Sequence, residues 1–97
     1  MPKAYWIATV KITQRERYQM YQQLAPPAFE AYGGRLLVRS DQPQVLESRD
    51  GQTPERCVIF EFPSLEQALA CYHSAEYREA RAARRHAAMV DITIVPA

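Results

Sequence analysis

Apolar residues occupy nearly every position of Tyr5-Trp6-Ile7-Ala8-Thr9-Val10-Lys11-Ile12, and the β-branched and aromatic content predicts a strand covered on both faces. From Gln14 to about Tyr32 the period changes. Tyr18, Tyr21, Leu24, Ala25, Ala28, Phe29 and Tyr32 recur at spacings of three and four, which predicts an amphipathic helix. Thr13 is placed to cap it, with Glu16 at the capping-box position. Pro26-Pro27 predicts a kink or restart, because each proline lacks an N–H and crowds the preceding turn. Gly33-Gly34 supplies a left-handed stop.

Arg35 to Ser40 reads as a second strand, and Gln44 to Ser48 continues the β signal across Asp41-Gln42-Pro43, either as a hairpin or as one bent edge strand. Arg49 to Glu55 is a loop, and Arg56 to Phe62 is the strongest interior strand. Ser64 and Gln67 form a capping box for a helix with Leu65, Ala68, Leu69 and Tyr72 as its apolar stripe. Ser74 caps a further helix from Ala75 to about Met89, and Asp91 to Val95 closes the chain as a strand. The order β-α-β-(β)-β-α-β describes one domain over residues 1–97 of the α+β class. It is a ferredoxin-like βαββαβ sandwich: an antiparallel sheet with right-handed crossovers that put the helices on one face.

The other face decides the assembly. Leu36, Val38 and Leu46 share a parity that suits the helix-covered side, as do Val58, Phe60 and Phe62. The opposite parity carries Leu37, Arg39, Val45 and Glu47, then Cys57, Ile59 and Glu61. That mixture is too apolar for water and too charged for a dry core, so it predicts a homodimer whose sheets enclose a wet cavity. Burying about 500 Å² of apolar surface per subunit contributes about 12 kcal/mol before association costs.

Composition narrows the function classes. Twelve Lys+Arg against 11 Asp+Glu give a net charge of +1 over 97 residues, which argues against nucleic acid or a membrane as partner. No apolar run approaches a membrane span or a signal peptide, so a cytoplasmic location is expected, with Cys57 and Cys71 as ordinary buried thiols. Neither a metal site nor a cofactor is expected. There is no Gly-rich phosphate loop, HExxH or GxSxG, and Cys71 and His73 stand two apart on a helix, facing different ways.

Several segments together resemble one family: Tyr5-Trp6-Ile7-Ala8, Ala28-Phe29-Glu30-Ala31-Tyr32-Gly33-Gly34-Arg35-Leu36-Leu37-Val38-Arg39, Val45-Leu46-Glu47, Val58-Ile59-Phe60-Glu61-Phe62-Pro63-Ser64 and Tyr72-His73-Ser74-Ala75-Glu76-Tyr77. The family is domain of unknown function 1330, within the dimeric α/β-barrel superfamily. The resemblance implies a homodimer whose two sheets close into one barrel, helices outside. Related families include cofactor-free monooxygenases of polycyclic phenols, small isomerases and haem-binding barrels. Thr9 stands where the family pattern often has His or Arg, which puts chemistry needing a charge there in doubt.

The candidate cavity residues are Arg39, Glu47 and Glu61, joined by Tyr32 before the Gly-Gly stop and by Thr9. An Arg beside a carboxylate can bind an anion or enol and tune proton transfer; the competing reading is an ion-pair network fixing sheet register. Tyr5, Trp6, Tyr18, Tyr21 and Tyr72 are read as packing, and His73 and His86 as idle, leaving haem without an axial ligand. Arg78, Arg81, Arg84 and Arg85, interleaved with Glu76 and Glu79, read as a solvated face with local ion pairs. The expected function is binding of a small organic ligand in the barrel, with oxygenase- or isomerase-like chemistry needing no cofactor as its enzymatic form. The alternative is a non-catalytic stress-response or interaction module in which the barrel serves dimerisation alone.

Overall fold

The computed structural model describes residues 2–97. Strand β1 (Ala4–Ile12) leads to helix α1 (Arg15–Ala31) and strand β2 (Arg35–Ser40); then come strand β3 (Arg56–Phe62), helices α2 (Leu65–His73) and α3 (Ala75–Ala83), and strand β4 (Ala88–Pro96). The sheet order is β2-β3-β1-β4, with every neighbouring pair antiparallel. This is the ferredoxin-like arrangement read from the sequence.

Strand alternation explains the layering. Ala4, Trp6, Ala8 and Val10 on β1 are buried, and the first three share a core with Phe62, with Ala25, Ala28 and Phe29 of α1, with Ala68 and Cys71 of α2, and with Tyr77 and Ala80 of α3. All three helices therefore cover one face. The alanines matter because small side chains let helices approach a sheet that carries a tryptophan.

Local chemistry sets most boundaries. The Ser64 hydroxyl accepts from the Gln67 N–H at 3.1 Å, and Ser74 accepts from the Tyr77 N–H at 3.0 Å, as the capping pattern requires. At the end of α1, Gly33 has φ 79°; its N–H donates to Glu30 and that of Gly34 to Phe29, at 3.1 and 2.8 Å. This pair of bonds is a Schellman stop.

Five expectations are corrected. Thr13 does not cap α1: the N-cap is Gln14, without a side-chain bond, while the backbone N–H groups of Thr13 and Gln14 both donate to the Ala87 carbonyl and tie this corner to the start of β4. Helix α1 runs through Pro26-Pro27 without a break, because both prolines lie on its exposed side, where water can serve the carbonyls they leave free. Gln44 to Ser48 is not a strand. The chain leaves the sheet after Ser40, Leu46 is 93% exposed, and an Arg56–Asp41 ion pair of 2.7 Å closes the base of the loop. Helix α3 ends at Ala83, turns through His86 in the left-handed region (φ 63°) and enters β4 three residues earlier than read, since β1 offers a nine-residue template from Ala4 to Ile12. Finally, Cys71 is buried but Cys57 only half-buried. Burial, with a smaller contribution from Glu76, pushes the Cys71 thiol up to about 12, so it is inert.

A Cβ on Gly34 would lie 2.8 Å from the Phe62 ring and 3.1 Å from the Phe29 carbonyl, and Phe62 is fully buried and cannot yield. Gly34→Ala is expected to cost about 1–3 kcal/mol, read as a lower urea midpoint with an unchanged m-value.

Candidate functional site

The register of β2 redistributes the residues singled out by sequence. Arg35 pairs with Glu61 and Leu36 with Phe60, but Val38 then pairs with Ile59, Arg39 with Val58 and Ser40 with Cys57. Leu37 is the extra residue of a β-bulge, and beyond it every side chain changes face. Val38 therefore lies on the helix-free face and Arg39 on the helix-covered one, the reverse of the simple parity reading. Glu47 lies in the exposed loop after β2 and belongs to neither face. Tyr32 packs against the helix-side core.

Three cross-strand rows and the pair Lys11–Met89 make up the helix-free face, the rows being Arg35–Glu61–Tyr5–Val95, Val38–Ile59–Ile7–Thr93 and Ser40–Cys57–Thr9–Asp91. Of the five candidates, only Glu61 and Thr9 share this face. Glu61 Oε1 receives Lys3 Nζ at 3.2 Å and Arg35 Nη2 at 3.1 Å. The Lys3 hydrogen bond outweighs partial desolvation and, with the Lys3 and Arg35 charges, holds the carboxyl below its ordinary 4.5. Glu61 is thus an ion-paired carboxylate held in its ionised form, a weaker base than a free one.

A concave site forms elsewhere. Ser74 donates to the Cys71 carbonyl at 2.6 Å while capping α3, so one residue ends α2 and starts α3. Side chains of both helices and of β4 line one concavity at this point. Between them opens a cleft of about 870 Å³, within the range of small-molecule sites. Its floor is Val90, Ile92 and Ile94; Leu65, Leu69 and Tyr72 form one wall, and Arg78, Arg81, Arg84 and Arg85 border the other.

Aromatic rings hold two of these arginines. Arg81 donates to the Tyr72 hydroxyl at 2.6 Å and sits 4.6 Å over that ring. Arg84 lies 5.2 Å over Tyr21, whose hydroxyl is 2.7 Å from that of Tyr77. Burial, then Tyr77, raises the Tyr21 phenol well above its ordinary 10, so this pair exchanges a hydrogen bond and stays neutral. The Nε atoms of Arg81 and Arg84 are buried with no hydrogen-bond partner. None of the four arginines meets a carboxylate: the ion pairs among the described residues are Lys3–Glu61, Arg15–Glu55, Arg35–Glu61 and Arg56–Asp41. The local pairs expected with Glu76 and Glu79 do not form. The missed signal was one of spacing, since Arg78, Arg81 and Arg85 recur at three and four, as a helix face beside a cleft requires. No helix is long and apolar enough to cross a membrane, and no cluster of metal-ligating side chains occurs among the described residues.

Residues 3–97 match the model of DUF1330, a domain of unknown function, and the chain belongs to that family. No curated protein matches it. Among solved structures, a protein of unknown function from Rhodopseudomonas palustris is similar at 20% identity, over 99% of this chain and 82% of that one, with a TM-score of 0.78. SnoaB, a cofactor-independent oxygenase from Streptomyces nogalater, aligns over 100% and 94% at 9% identity and a TM-score of 0.68. A dimeric ferredoxin-like protein of unknown function from Jannaschia sp. CCS1 aligns over 96% and 97% at 8% identity and a TM-score of 0.68. At these identities the likeness is one of fold.

Because folding lowers the Glu61 pKa, the stability it contributes is present above about pH 4.5 and is lost as pH falls through the lowered folded value. Urea unfolding at pH 7 and pH 3 should show Glu61→Gln destabilised relative to the parent at the higher pH, with the gap closing at the lower.

Proposed function

For this member of the DUF1330 family we propose a homodimer that binds a small organic anion with an apolar body in the cleft between α2, α3 and β4. One observation carries the reading: four arginines without carboxylate partners border an apolar floor of Val90, Ile92 and Ile94. An arginine is always charged and offers a planar fork of donors suited to a carboxylate or phenolate. Seated on Tyr72 and Tyr21, Arg81 and Arg84 lose little further freedom when they meet such a group. Fixed positive charge in a part-buried cleft also favours the ionised form of a phenol or enol. Stabilising that anion is the first requirement of oxygenation or isomerisation without a cofactor, and the likeness to SnoaB supports asking for such chemistry here.

The helix-free face supports the dimer. Val38, Ile59 and Ile7 form an apolar row across it, and Val38, Val95 and Met89 are 44%, 43% and 54% exposed in the single chain. Contiguous apolar surface of this kind marks an interface, and the Jannaschia neighbour is dimeric. Interface and cleft lie on opposite sides of the sheet, so both can be occupied together. The ligand site thus moves from the barrel interior to the helix side.

Benzoate titrations followed at the α3 amides should show binding there weakened at least tenfold by Arg81→Ala and less by Arg81→Lys; unchanged affinity at those amides in Arg81→Ala would remove the reading. Light scattering should give twice the chain mass, and Ile59→Asp should give the monomer without loss of helix signal. Oxygen uptake or isomer formation with a bound phenol, abolished by Arg81→Ala, identifies an enzyme; binding without turnover identifies a binding module.

A further inference from the structure

A second cavity lies beneath α1. We propose that it is a separate site for a single-ring aromatic acid, with the ring seated in it and its carboxylate at Arg39. The space is about 130 Å³, close to the ~150 Å³ of a dry apolar cavity that takes up benzene. It exists because Ala8 on β1 and Ala25 on α1, both lining it, are too short to fill the gap that Trp6 and Phe29 hold open. Phe29 stacks on Phe60 at 4.0 Å with an interplanar angle of 18°, and both rings line the space an entering ring would share.

The polar groups around this cavity are not equivalent. Arg56 is committed to Asp41 at 2.7 Å. Arg39, carried to this side by the bulge at Leu37, has no carboxylate partner among the described residues and is exposed. One uncompensated charge beside a ring-sized apolar space matches one carboxylate on one ring. Val90 is the one residue lining both this cavity and the arginine cleft, so the sites can be separated by mutation.

The test uses benzene and benzoate as probes, followed by calorimetry and by amide NMR shifts. In an Arg81→Ala background, which silences the cleft, benzoate should still shift amides around Ala8 and Ala25. Adding Arg39→Ala should weaken benzoate at least tenfold and leave benzene unchanged. Ala25→Leu, which fills the cavity, should abolish both; Val58→Phe serves the same purpose should Ala25→Leu fail to fold. Absence of both probes from the Arg81→Ala protein, or their persistence in a folded cavity-filled variant, overturns the proposal. In the parent protein, benzoate shifts confined to the amides around Ala8 and Ala25, with none along α3, would overturn the cleft reading alone.

Discussion

Trp6 is the residue around which the helix-side half of the molecule is organised. Its indole is 1% exposed and meets one ring from each packed element: Phe29 of α1 at 5.0 Å, Tyr77 of α3 at 5.0 Å, Tyr72 of α2 at 5.8 Å and Phe62 of β3 at 5.9 Å. The first two are edge-on, the geometry the aromatic quadrupole favours, each worth about 0.5–1.5 kcal/mol beyond area burial. No aliphatic residue at this position could touch four elements at once. The surrounding alanines, fully buried at positions 4, 28, 68 and 80, let the helices close down to that ring.

Both cavities follow from this hub. Tyr72 and Tyr77 are held by Trp6, and they fix what lies beyond them: Arg81 on Tyr72, and Arg84 on Tyr21 through the Tyr21–Tyr77 hydroxyl pair. A guanidinium stacked on a ring gives up part of its hydration without acquiring a counter-charge. It is then better prepared for an anion than a free surface arginine, because ordering and part of the desolvation precede binding. On the other flank the size of Trp6, set between Ala8 and Ala25, leaves the ring-sized void under α1.

What the sequence disclosed divides by range. Features fixed within a few residues were readable: the full span of β3 from Arg56 to Phe62, the serine caps at 64 and 74, the glycine stop at 33 and the ferredoxin-like order. What depended on a distant partner was not. Parity counting placed Arg39 with Glu61, yet one extra residue at Leu37, invisible until β2 is paired with β3, sends them to opposite faces. The β-prone run around Leu46 stays out of the sheet although the outer edge of β2 is free, because Asp41-Gln42-Pro43 carries the chain off that edge and Asp41 is held by Arg56 instead. Tyr72 and Arg81 are nine residues apart and meet only because Ser74 turns one helix into the next.

Charge pairing shows the same dependence on placement. Twelve basic and 11 acidic residues are nearly balanced, and from the total a mutually neutralised surface is the natural expectation. The fold distributes them otherwise. Glu61 alone takes two cations at the rim of the helix-free face, Glu55 takes Arg15, and Asp41 takes Arg56. The three paired carboxylates thus all engage cations away from α3, and Arg78 and Arg81 of that helix, with Arg84 and Arg85 just beyond its end, remain unpaired beside an apolar floor. An unpaired guanidinium is unremarkable in open water, but with its Nε buried it has surrendered hydration that a carboxylate partner would normally replace. Net charge therefore excludes a broad electrostatic field and says nothing against a local one, and it is the local field at the cleft that an anionic ligand would meet.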